Sequence, residues 1–167
     1  MAKALKVRKV APAKPCAEAA VRILRTRLKE FYSHWPDPAQ RPTPEQLHNL
    51  RISGKRLRYS AESLSSLYPD RLTFLINLLK SLQDLLGEMQ DCRTQRATLE
   101  AMLRRRLQSR LSQAEVTLIK KLCRDYEQRQ EKLFEELATF WHSIARKKFR
   151  ASLKDMVSRP IKPVRPG

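Results

Sequence analysis

Residues 47–59 read LHNLRISGKRLRY and continue as SAESLSSLY to Tyr68. Leu47, Leu50, Gly54, Leu57, Ala61, Leu64 and Tyr68 step by three and four, the spacing of one face of a helix. His48, Arg51, Lys55, Arg58 and Glu62 repeat those steps one residue later, which rotates them roughly 100° from the apolar face and lines them along its edge. From His48 to Arg58 the edge runs about 15 Å along the axis. A helix with one buried stripe needs other helices to bury it against, so the segment predicts an all-α fold.

The flanking sequence agrees. Prolines cluster before Glu45 and after Arg159, with Pro69 alone between them, leaving the middle of the chain free to be helical. A first helix is expected from about Cys16 to Trp35, with Ala17, Ala20, Leu24, Phe31 and Trp35 on one face, followed by a loop over Pro36 to Pro42. Thr43 suits an N-cap, Pro44 the first helical position and Gln46 a capping box, so a second helix starts there and ends near Tyr68. Asp70 is expected to cap a third helix with Leu72, Leu75, Leu79, Leu82 and Leu86 as its seam, ended or kinked by Gly87. A fourth follows from about Glu88 to Arg106. A fifth runs from Gln113 to about Phe149 with Leu118, Leu122, Leu133, Leu137, Phe140 and Ile144 inward. Short connections imply an antiparallel helical bundle of four to five helices over residues 16–158. Residues 1–15 and 159–167, basic and proline-bearing, are expected to be a disordered arm and tail.

The charge balance narrows the partners. Lys and Arg number 35 against 17 acids, a net charge of +18, and a polyanion would relieve that self-repulsion. Cys16, Cys92 and Cys123 are scattered and odd in number, which points to neither a disulfide framework nor a zinc site. No apolar run reaches the length of a membrane span, and a cytoplasmic protein is expected.

Three features distinguish the charged edge of the second helix from a merely solvated flank. Its cations crowd the rim of the core, where they would be partly desolvated unless an anion sat among them. His48 lies in the first turn, where free N–H groups and the helix dipole favour anions. Gly54 costs about 1 kcal/mol relative to alanine, suggesting a second backbone crossing closely. Arginine meets phosphate oxygens bidentately, so a row of such groups suits a linear phosphate chain. It suits base recognition less, because Tyr59 is the segment's sole aromatic residue.

Further cations could extend the surface: Arg22, Arg25 and Lys29 on the first helix, Arg93 and Arg96 on the fourth, Lys120 and Arg124 on the fifth. Each also reads plainly as a solvated face. His34, His48 and His142 fall on different helices without a second metal ligand at helical spacing. Glu62, Asp84 and Asp91 read better as acids that orient arginines than as metal ligands. No phosphate-binding glycine loop or nucleophile elbow occurs, so neither an enzyme nor a cofactor or metal is expected.

LHNLRISGKRLRYSAE followed by LLKSLQDLLGEMQD resembles the CHAD domain, the conserved-histidine α-helical domain, with its pattern H-x-x-R-x-x-x-K-R-x-R-Y-x-x-E and then L-Q-x-x-L-G. The resemblance rests on His48, Arg51, Lys55, Arg56, Arg58, Tyr59 and Glu62, then on Gln83, Leu86, Gly87 and Asp91. It implies a helical bundle whose basic surface binds inorganic polyphosphate through His48, Arg51, Lys55, Arg56 and Arg58, often at polyphosphate granules. CHAD domains generally contain two such repeats and this chain has one, a departure that a homodimer would repair. The E-x-E-x-K signature of the triphosphate-tunnel enzymes often joined to them is absent. The expected function is therefore polyphosphate binding without turnover. The alternative is a nucleic-acid-associated or granule-organising protein acting through its basic tails.

Overall fold

The computed structural model describes residues 3–8, 16–34, 40–68, 70–105, 111–144 and 147–158. Among them are five α-helices and no strand: α1 Cys16–Ser33, α2 Pro44–Ser63, α3 Thr73–Arg104, α4 Gln113–Ile144 and α5 Lys147–Met156, with a 3-10 turn at Ser65–Leu67. The fold is all-α. No helix among the described residues is long and apolar enough to cross a membrane. Trp35, Pro69, Arg106 and most of the two basic tails lie outside the described residues.

The chain divides into two compact units, one of residues 1–83 and 141–167, the other of residues 84–140. In the first, Ala20, Leu24, Leu28 and Phe31 of α1 are buried, as are Leu50, Leu57 and Ala61 of α2. Leu75, Leu79 and Leu82 of α3 and Leu153 of α5 are buried in the same unit. In the second, Leu86, Met89 and Cys92 of α3 and Val116, Leu133 and Leu137 of α4 are buried.

Four boundaries differ from the sequence reading. The helix expected to be ended or kinked by Gly87 runs through it: the third and fourth helices are one, α3. The buried positions Leu79, Leu82, Leu86, Met89 and Cys92 continue the three-and-four spacing across the glycine, and burying that stripe outweighs a backbone penalty of about 1 kcal/mol. Asp70 caps nothing, since α3 begins three residues later. It sits in the left-handed region at φ 57°, a conformation aspartate tolerates better than most residues. The second helix ends at Ser63 and reaches Tyr68 through the 3-10 turn. Finally, the stretch expected as one fifth helix to about Phe149 is described as α4 and α5, the latter reaching Met156, with residues 145–146 between them outside the described residues.

The inward face expected of α4 is only partly inward. Leu133, Leu137 and Ile144 are buried, whereas Leu118 is 56% and Leu122 37% exposed. Val116 and Trp141 are buried in addition. In the amino-terminal turns of α4 a three-and-four pattern exists on more than one face, and burial follows Val116.

Candidate functional site

The cap of α2 sets the register of everything on it. Thr43 Oγ1 accepts from the Gln46 backbone N–H at 3.2 Å and Gln46 Oε1 accepts from the Thr43 N–H at 2.7 Å, the reciprocal capping box the sequence announced, with Pro44 at the first helical position. Two orphan donors are thereby satisfied, which fixes where the helix starts. Its buried face is Leu50, Ser53, Gly54, Leu57 and Ala61, with Ser53 Oγ returning a hydrogen bond to the Leu50 carbonyl at 2.9 Å.

Arg51, Lys55, Arg58 and Glu62 are half-buried along one flank of that face, and His48 is exposed toward its amino-terminal end, in the second turn counting from Pro44 rather than the expected first. Glu62 Oε1 accepts from Arg58 Nη1 at 3.1 Å, while the same guanidinium lies 4.6 Å from the centre of the exposed Tyr59 ring. The Nε atoms of Arg51 and Arg58 are buried and have no hydrogen-bond acceptor among the described residues. A buried donor left unsatisfied costs about 1 to 3 kcal/mol, more when charged, so such groups are rare without a ligand or solvent to serve them.

Arg56 belongs elsewhere. Five residues beyond Arg51, it falls roughly 140° round the helix, on the opposite flank. There its Nη1 meets Glu30 Oε1 of α1 at 2.6 Å. Glu30 is fully buried, and its other oxygen accepts from Arg27 Nη1 at 2.6 Å and from the Leu5 backbone N–H at 3.3 Å. Burial pushes this carboxyl up, but the hydrogen bonds from Arg56, Arg27 and Leu5 together outweigh it and hold it below the ordinary glutamate value. Arg27 also donates to the Leu5 carbonyl at 3.0 Å, so one carboxylate joins the amino-terminal segment, α1 and α2. Sequence reading missed Glu30 and Arg27. The available signal was an acid at position 30, immediately before the buried Phe31.

Gly54 is not crossed by another backbone. A Cβ placed there would meet the Phe31 ring at 3.6 Å and Leu79 Cδ2 at 4.0 Å, ordinary side-chain distances. What firms the site is aromatic packing from α1 rather than a close helix crossing.

The remaining expected residues separate by unit. On α1, Arg22 is paired with Glu18 at 2.6 Å, whereas Arg25 Nε donates to Ser158 Oγ at 2.9 Å. Lys29 is exposed and lines a cleft described below. In the second unit, Arg96 is bound to Glu100 at 2.9 Å and to Glu127 at 3.0 Å, and Arg93, Lys120 and Arg124 are exposed. Asp84 and Asp91 are exposed, and among the described residues neither makes an ion pair, so no arginine is oriented by them. No cluster of three metal-ligating side chains occurs among the described residues. Cys92 is buried, and burial and neighbouring Glu88 push its thiol up.

No curated protein and no solved structure matches the chain. A family model for the CHAD domain matches residues 1–100, a span that includes α1, α2 and most of α3. With the motif residues of α2 standing in one helical register inside that span, the chain belongs to the CHAD domain family.

Proposed function

We propose that the protein binds inorganic polyphosphate along the α2 row of His48, Arg51, Lys55 and Arg58, without turnover. One observation carries this: two half-buried arginines, two helical turns apart on the same flank as Lys55, each keep a buried Nε donor that no described residue satisfies. Membership of a family associated with polyphosphate points the same way. Cations spaced about 4.5 to 6 Å along the axis meet successive anionic groups of an extended polymer, and Glu62 steadies Arg58 among them. Arg56 contributes by fixing α2 on α1 through Glu30. The single repeat is completed by a second copy, and the assembly resides at polyphosphate granules in the cytoplasm.

Affinity then comes mostly from counterion release and falls steeply with salt. The test is a polyphosphate titration at several salt concentrations for the intact chain and for Arg51→Ala/Lys55→Ala/Arg58→Ala. The slope of log affinity against log salt drops by roughly one unit for each phosphate no longer neutralised. An unchanged slope refutes the row. Short RNA displacing the polymer at equal phosphate concentration would instead favour a nucleic-acid role through the tails, and a monomer in light scattering that still binds would remove the dimer.

A further inference from the structure

The basic residues of α1 divide into two kinds. Arg22 and Arg27 each have a carboxylate at 2.6 Å. Arg25 and Lys29 face a cleft of about 780 Å³ whose other wall is α5, where Arg150 and Lys154 face them. Among the described residues no acid lines the cleft, and none of the four cations has a carboxylate within ion-pair distance. Each helix thus offers a like-charged pair at i and i+4, an arrangement that repels by a few tenths of a kcal/mol per pair unless an anion intervenes.

The guanidinium groups are held in place. Arg25 Nε is fixed by Ser158 Oγ at 2.9 Å, and that hydroxyl in turn donates to the Lys154 carbonyl. Arg150 stacks on the Tyr32 ring, 4.3 Å from its centre. Ordering such long side chains costs conformational entropy that solvated cations do not normally give up. Leu28, Tyr32 and Ala151 supply an apolar floor beside the charges. Burial pushes the Tyr32 hydroxyl up to about 12, with Arg150 opposing.

We propose that this cleft is a second binding site, separate from the α2 row, for a nucleoside polyphosphate. The phosphates lie between Arg25, Lys29 and Lys154, and the base stacks on the outer face of the Arg150 guanidinium above Tyr32. Planar guanidinium stacking and an apolar floor serve a base and would be wasted on a purely inorganic chain. The volume falls in the range of small-ligand pockets. Arg150, Ala151 and Lys154 of α5 lie beyond residues 1–100, so the site is not contained in the span the family model matches.

The experiment is calorimetric titration of the full chain carrying Arg51→Ala/Lys55→Ala/Arg58→Ala, which silences the row, with ATP and with inorganic tripolyphosphate. ATP binds at least several-fold more tightly than tripolyphosphate, and Lys154→Gln or Arg150→Gln in that background weakens ATP by about tenfold. Both side chains are exposed, and unchanged circular dichroism confirms the fold. Equal affinity for the two probes, or ATP affinity that neither substitution moves, overturns the proposal. The unaltered chain, with its row intact, serves as a separate control for polymer binding.

Discussion

The two units handle charge in opposite ways. Residues 84–140 hold 11 of the 35 basic and 10 of the 17 acidic residues, a net charge of +1, so the remainder of the chain carries +17 of the +18. In the near-neutral unit the arginines answer acids of the same unit: Arg96 to Glu100 and Glu127, Arg129 to Glu88 at 2.6 Å and Glu136 at 3.2 Å. In the basic unit the acids are few, and the most deeply buried one, Glu30, serves two arginines at once. Arginines do different work in the two units because one holds nearly as many acids as bases and the other far fewer. A basic surface by itself says little; an excess that the local acids cannot cancel points to a partner.

The largest expected effect tests the buried end of this contrast. Glu30→Ala leaves Arg27 and Arg56 without their shared partner and should destabilise the chain by about 3 to 5 kcal/mol in urea unfolding. Arg96→Ala, removing solvent-screened pairs in the other unit, should leave the unfolding midpoint within error. Comparable losses from both would erase the distinction. Acid sharpens it further. Because the folded Glu30 carboxyl lies below its ordinary 4.5, its contribution is complete above that value and is lost as pH falls through the lower folded value. The stability gap between wild type and Glu30→Gln should therefore narrow as the pH drops below 4.5.

Next in size is the functional contrast. Arg51→Ala/Lys55→Ala/Arg58→Ala should reduce the salt slope of polyphosphate binding by roughly three units, while Lys120→Ala/Lys121→Ala/Arg124→Ala, the same change of charge in the near-neutral unit, should leave it unchanged. Equal reductions would mean that net charge, and not the row, does the binding.

The smallest effects come from the two helical glycines, one in each unit. Gly87 has nothing within 4 Å of an added Cβ, so Gly87→Ala should stabilise α3 by about 0.5 to 1 kcal/mol. Gly54→Ala should gain slightly more, since its methyl group would meet Phe31 at 3.6 Å in ordinary van der Waals contact. Thermal unfolding distinguishes them, and a destabilised Gly54→Ala would reveal that α1 and α2 leave no room there.

Much of α2 was legible because its signals are local: a capping box names its own first residue, and a three-and-four pattern bounded by prolines names its face. Gly87 misled because propensity is a weak local preference, overruled by the burial of Leu86 and Met89 on either side. Leu118 and Leu122 misled for the converse reason, since periodicity identifies faces without saying which one is covered. Arg56 shows the limit most sharply. Its neighbours in sequence belong to the row, and only counting degrees around the helix, with Glu30 waiting on α1, separates it from them. The α1–α5 cleft pairs residues more than 110 positions apart, a relation that no spacing in the sequence could express.

The hydrogen bond from the Leu5 N–H to Glu30 has a practical corollary. A protease cut or an affinity tag that disturbs the first few residues would withdraw one donor from the carboxylate that also grips Arg56, and so would be felt at α2. Preparations that differ only in how their amino terminus was engineered should therefore melt at different temperatures, although the altered residues lie far in sequence from the row of cations.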